Sequence, residues 1–271
     1  VLPMEISLLP HLEVIDVSFN KLSNHLPSTL RHLTILKELR LRHNLFSGII
    51  PKDLLTESSS IVHLDVGHNQ LHGKIPASIR FANKLSSLDL DNNQFTDIPK
   101  EIRQLTELKR LSIDNNNLDK LIGSVTKLSS LEYLSMANNN ISERLPKDLD
   151  KLSKLQTLDL SFNQFHGELH SSWNLGDGTI QVIRLNNNKL DGDVPTFGHL
   201  GGLLEFRLDG NDFSGSIGDW SCPTASGHVF LKVYADCSSV SCPCCAYCCV
   251  DGEDLCDCQP VVGAPGWCQA D

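Results

Sequence analysis

The stretch Leu36–Asn44, LKELRLRHN, continued by LFSGIIP to Pro51, decides the fold. It reads L-x-x-L-x-L-x-x-N-x-F-x-G-x-I-P, and the same frame returns along most of the 271 residues. Its fixed asparagine recurs as Asn20, Asn44, Asn69, Asn93, Asn116, Asn139, Asn163, Asn188 and Asn211, at spacings of 24, 25, 24, 23, 23, 24, 25 and 23. So even a period describes stacked coils of one small unit. Ahead of each asparagine, apolar residues alternate, as in Leu88 and Leu90 or Leu158 and Leu160. That spacing predicts one short strand per coil with those side chains inward. The asparagine amide can satisfy backbone groups of the adjoining turn. Two residues later an apolar side chain (Leu22, Phe46, Leu71, Phe95, Leu118, Ile141, Phe165, Leu190, Phe213) returns to the core. One coil cannot cover its own apolar face, so each neighbour supplies the missing wall.

Composition narrows the partners. The net charge is −10, and aromatic residues make up only 6% of the chain, which suits a core of stacked aliphatic rows. Residues 1–218 carry 22 basic and 26 acidic side chains, while residues 219–271 carry 1 and 7. An acidic chain argues against nucleic acid, whose phosphates need Lys and Arg. No apolar run approaches the roughly 20 residues of a membrane helix, so direct membrane insertion is not expected.

The frame is the leucine-rich repeat signature. Its segments LFSGIIP, LHGKIP and LDGDVP resemble the L-x-G-x-I-P of plant-type, extracellular leucine-rich repeats over roughly residues 1–217. The resemblance implies an α/β-type repeat solenoid of nine repeats, a right-handed superhelix with a parallel concave sheet. It also implies that the convex half of each coil starts with a second short strand and then a 3₁₀-like turn. Repeat five (LDKLIGSV) lacks glycine and proline, repeats seven and nine (FHGELH, FSGSIG) lack the proline, and repeat four (FTDIP) is one residue short. Irregular convex sides are expected there. The chain opens at VLPMEISLLPHL, the second half of a repeat, so a leader, a cap or earlier repeats are expected ahead of Val1. The stretch 171–179, SSWNLGDGT, predicts a local loop carrying Trp173.

From Asp219 the repeat grammar stops, and residues 218–271 read as a separate C-terminal cap. His228 to Ala235 predicts one last strand. All ten cysteines, Cys222, Cys237, Cys242, Cys244, Cys245, Cys248, Cys249, Cys256, Cys258 and Cys268, lie in this segment. An even number crowded into a short acidic stretch reads as five disulfides formed in an oxidising compartment, in preference to a thiolate metal site. The W-x-C-P segment and dense cluster resemble the C-terminal caps of secreted or cell-surface repeat proteins of diatoms and related algae. Asn140-Ile141-Ser142 is the one N-x-S/T sequon, a candidate glycosylation site in a secreted protein.

Candidate binding residues are the variable letters on the concave strands. Lys37, Arg40, Arg42 and His43, with His63 and His68 nearby, form a basic patch. Arg40 and Arg42 lie two apart and share one face, a spacing that suits a carboxylate. Asp89, Asp91 and Asp114 form an acidic group, and Arg184 and Arg207 adjoin on neighbouring strands. The expected energetic anchors also include Phe19, Tyr133 and Phe162, because aromatic residues and arginine dominate interface energetics. No calcium or zinc motif is legible, and there is no phosphate loop, catalytic triad or paired-carboxylate cleft. The expectation is a non-enzymatic, cofactor-free extracellular module that recognises a protein, peptide or glycan. A matrix or filament constituent and an inhibitor of secreted hydrolases are the alternatives.

Overall fold

The computed structural model describes residues 1–56, 59–121, 123–170, 179–195, 202–217, 232–236, 239–241 and 247–249. The ten-cysteine framework, and Trp173 with its loop, lie outside the described residues, apart from the backbone of Cys248 and Cys249. The chain forms two compact units, residues 1–141 and 142–271.

In the first unit the concave strands are Val14–Asp16, Glu38–Arg40, His63–Asp65, Ser87–Asp89, Arg110–Ser112 and Tyr133–Ser135. Each pairs with the next in parallel and in register, so Ile15, Leu39, Leu64, Leu88, Leu111 and Leu134 form one inward row. In the second unit Thr157–Asp159, Val182–Arg184, Glu205–Arg207, Lys232–Asp236 and Tyr247–Cys249 do the same. Leu39, Leu64, Leu88, Leu158 and Ile183 are buried, and Phe46, Phe95 and Phe165 close the core from the opposite side of the coil.

The sheet continues after residue 217, as the strand expected at His228 to Ala235 implies. Lys232–Asp236 pairs with Glu205–Arg207 and is paired in turn by Tyr247–Cys249. The frame continues with changed letters: Val233 and Ala235 are fully buried in the inward positions that Phe206 and Leu208 hold one coil before, and Val240 pairs opposite Gly215. Asp236 accepts hydrogen bonds from the Gly210 and Asn211 amides (2.9 and 3.3 Å), so a carboxylate ties this coil to the one before. The last expected strand thus exists, but within the described residues it begins at Lys232 and is not terminal in the sheet.

The ladder asparagine holds neighbouring coils together. Asn93 Oδ1 accepts the Leu71 amide of the preceding coil at 2.9 Å. Its Nδ2 donates to Val66 of that coil (3.0 Å) and to Leu90 and Asp91 of its own. Asn44, Asn69, Asn116 and Asn188 repeat the pattern. A side chain with one acceptor and two donors on a short stem matches the groups left open where the strand ends.

The convex elements are five-residue 3₁₀ helices, and no α-helix occurs among the described residues. A coil of 23–25 residues leaves room for one tight turn and no more. Pro27, Pro76, Pro99 and Pro146 stand immediately before these helices, with φ between −61° and −73°, the value the proline ring imposes. The flanking second strands form two separate groups. Ser23–Asn24, Leu45–Gly48, Gln70–Lys74 and Gln94–Asp97 lie in the first unit. His166–Glu168, Lys189–Asp193, Asp212–Ser216 and Val240–Ser241 lie in the second.

One backbone position accompanies the second strand in six repeats, with repeat four the exception, where Asp97 stands there without positive φ and Gln94–Asp97 still forms. The fourth residue after the asparagine has positive φ: Asn24 (74°), Gly48 (83°), Gly73 (79°), Gly167 (82°), Gly192 (78°) and Gly215 (82°). Repeats five and six place Lys120 and Glu143 there and form no second strand. Repeats seven and nine, whose missing proline predicted irregularity, keep the glycine and the strand. Repeat six, which raised no warning, loses it. Repeat four keeps its strand with a register shift at Gly73/Lys74.

Two measurements test this account. Asn93→Ala orphans buried amide and carbonyl groups and lowers unfolding free energy by about 3 kcal/mol in urea titration. Gly73→Ala forces an L side chain into the left-handed region and costs about 1–2 kcal/mol, whereas Asn24→Gly leaves stability unchanged or higher.

Candidate ligand-binding face

The outward side chains form columns across the strands. In the first unit, parallel register aligns Asp16, Arg40, Asp65, Asp89, Ser112 and Ser135. In the second it aligns Asp159, Arg184, Arg207 and Tyr234.

The basic patch does not stand alone. Lys37 meets Glu13 at 2.6 Å, and Arg40 meets Glu38 at 2.9 Å and Asp16 at 3.9 Å. These pairs are open to solvent and contribute little to stability. Arg42 is committed more firmly. It reaches across the neighbouring coil to Asp91 with two parallel hydrogen bonds of 2.8 and 2.7 Å, and it lies 3.4 Å from Asp65. Gly67 leaves the passage open, because a Cβ there would fall 2.4 Å from the Arg42 guanidinium and 2.8 Å from Asp91. Arg40 and Arg42 share a face as their spacing predicts, but different carboxylates engage them.

Burial pushes the Asp91 carboxyl up. The Arg42 hydrogen bonds, with one from Asn92, outweigh burial and hold it below the usual carboxylate range. Asp65 goes the other way: burial raises it, helped by the like charges of Asp89 and Asp91, against the Gly67 amide and Arg42. The three aspartates grouped by sequence have separate partners. Asp89 accepts from Arg110 and Ser87, each at 2.7 Å. Asp114 accepts from Ser112 (3.0 Å), the Ala137 amide (2.8 Å) and Ser135. Among the described residues no three His, Cys, Asp or Glu side chains are placed to hold a metal ion.

In the second unit, Arg184 grips Glu205 at 2.8 and 3.2 Å and lies 3.4 Å from Asp159. Hydrogen bonding to Glu205 raises its already high pKa further. Arg207 turns to Asp209 (3.2 and 3.0 Å) and stacks over the Tyr234 ring at 4.6 Å. Tyr133 in the first unit carries the Arg110 guanidinium 3.9 Å above its ring.

A third column lies one residue before the ladder asparagine. Phe19, His43, His68, Asn92, Asn115, Asn138, Phe162 and Asn187 all adopt left-handed backbone, φ 51–58°, and Gly210 follows at 67°. Asn and Gly occupy this region readily, whereas a bulky side chain there is strained. Four positions nevertheless hold rings. Phe19, His43 and His68 stack at centroid separations of 4.6 and 4.0 Å, so the two imidazoles lie face to face. Burial lowers the His68 pKa, and the charges of Arg42 and His43 lower it further. The neutral ring suits the 3.1 Å contact between its Nε2 and the Asn92 amide nitrogen. Phe19 and Phe162 are 75% and 48% exposed. The recurring Asn at this position was the sequence signal for left-handed backbone, and the phenylalanines are the departures from it.

Two leucine-rich repeat models match the chain: a leucine-rich repeat region over residues 63–175, and single repeats over 11–33 and 36–56. Frame, register and asparagine ladder together make this a leucine-rich repeat solenoid with a parallel sheet and plant-type repeats. Receptor-like protein 35 of Arabidopsis thaliana is 31% identical over 72% of the chain. The chain spans only 15% of that relative's length. Among solved structures, the plant peptide hormone receptor RGFR1 in complex with RGF2 is 27% identical and superposes with a TM-score of 0.78 over 89% of this chain and 40% of that one. The Arabidopsis receptor kinase HAESA, in complex with the peptide hormone IDA and the co-receptor SERK1, is 28% identical, with a TM-score of 0.76 over 92% and 44%.

The Arg42–Asp91 pair generates a pH-dependent prediction. A depressed folded-state pKa contributes stability that is present at neutral pH and lost as pH falls through that pKa. Asp91→Asn therefore costs about 2 kcal/mol near pH 7, and the gap to the parent narrows toward pH 2. Urea titrations of both chains at the two pH values read the difference.

Proposed function

We propose that the chain is a non-enzymatic recognition module, secreted or displayed at the cell surface, that takes a protein or peptide partner on its outward strand columns. One observation carries this reading: aromatic rings stay exposed at backbone positions that cost stability to fill with a ring. Strain of that kind concentrates at functional sites, where something besides folding retains it. In the first unit Phe19 is the exposed ring, with His43, Tyr133 and the half-exposed Arg40 as further outward contacts, and in the second unit Phe162 is the exposed ring. Lys37 and Arg42 in the first unit, and Arg184 and Arg207 in the second, serve recognition through the pairs they make within their own unit. Likeness to plant receptor-like proteins, and to ectodomains solved with peptide hormones, supports a peptide or protein in preference to a glycan.

Two features of a secreted protein belong to the same proposal. Asn140 is exposed on the flank and carries a glycan, and the ten cysteines of the C-terminal segment are paired as disulfides.

Partner capture from the extracellular fluid of the source organism tests the reading. The parent chain retains a partner, and the Arg40→Glu/Tyr133→Ala double variant retains it about fivefold less or worse. A partner held equally by both chains would move the site off these columns.

A further inference from the structure

The second unit contains a more specific arrangement. Asn186 lies beside Phe162, whose backbone amide donates to the Asn186 carbonyl at 3.0 Å. The Asn186 side chain is 2% exposed, and its Oδ1 is buried without a hydrogen-bond partner. Buried acceptors are almost always satisfied, and one left open costs stability. Two unfavourable features thus lie on adjacent coils joined by that backbone hydrogen bond: a half-exposed ring on left-handed backbone and an unanswered amide oxygen.

The surrounding charges are already answered. Ser161 donates to Asp159 at 2.6 Å, Arg184 is held by Glu205 and Asp159, and Arg207 is held by Asp209. Such a rim offers an incoming carboxylate no uncommitted guanidinium. It fits a neutral group that brings its own donor.

Resting on the recognition reading above, we infer that Phe162 and Asn186 form a two-point anchor for an extended, uncharged stretch of peptide. The ring of Phe162 packs an apolar side chain, and Asn186 Oδ1 accepts the N–H of the adjoining peptide bond. Covering side chains must swing aside to admit the donor, so capture is coupled to a local rearrangement. Phe162, 48% exposed, is the side chain the partner meets first. An N–H beside an apolar side chain recurs along any extended peptide, whereas a sugar offers hydroxyl donors without that regular pairing.

The test selects a phage-displayed random peptide library on the intact chain and measures the best synthetic peptide by calorimetry against three proteins. These are the parent, Phe162→Asn and Asn186→Leu. Each variant removes an unfavourable feature, so melting temperature is maintained or raised in both. Each weakens the peptide about tenfold or more. Peptides that bind all three proteins equally overturn the anchor while leaving the recognition reading intact. Selected peptides that depend on acidic residues and are lost in Arg40→Glu also overturn it, and place capture in the first unit. A library that yields no binder at all overturns the anchor, and the recognition reading then stands or falls on the partner-capture experiment.

Discussion

The structure depends on one side chain used repeatedly. A ladder asparagine accepts an amide from the coil before it and donates to carbonyls of both coils, as Asn93 does toward Leu71, Val66 and Leu90. Backbone leaving a strand inside a packed core has open donors and acceptors, and burial makes each costly unless answered. The amide answers them from a position that hardly moves between coils. That allows leucines, isoleucines and valines to form flush inward rows without local specialisation. Where the frame changes letters, the constraint persists: Asp236 serves the Gly210 and Asn211 amides with a carboxylate.

Two positions around the ladder add a stereochemical constraint. The residue before the asparagine takes left-handed backbone in every coil, and the fourth residue after it does so in six. At the second position, glycine or asparagine accompanies the flanking strand in six coils, Asp97 keeps the strand in repeat four without positive φ, and Lys120 and Glu143 mark where it is lost. At the first, seven of nine coils satisfy the constraint with Asn, Gly or the tolerant His43 and His68, and Phe19 and Phe162 resist it. Strain relieved almost everywhere but kept at two exposed rings is the physical reason to look for recognition there.

Electrostatics on the outward columns is a cross-coil matter. Arg42 bypasses Gly67 to reach Asp91, two coils on, and Arg184 spans Asp159 and Glu205. These pairs neutralise a patch that looks basic when the cations are read alone. They also tie coils together on the face opposite the asparagines. The result is an outward surface of closed ion pairs with aromatic rings along one margin, which favours shape and donor matching over net charge.

The sequence by itself determined the architecture. Period, inward alternation, the asparagine column and the proline before most of the 3₁₀ helices are local, and each acts through its own coil and the next. The charged residues of the candidate site were legible as types, but their state was not. Arg42 and Asp91 are 49 positions apart, and only parallel register with a glycine between them brings them together. Tertiary structure likewise decided that the sheet continues beyond Lys232–Asp236 to Tyr247–Cys249 and that the Asn186 oxygen is left unanswered. Repetition encodes what every coil shares. What differs between coils acquires meaning only when stacking places it against a neighbour.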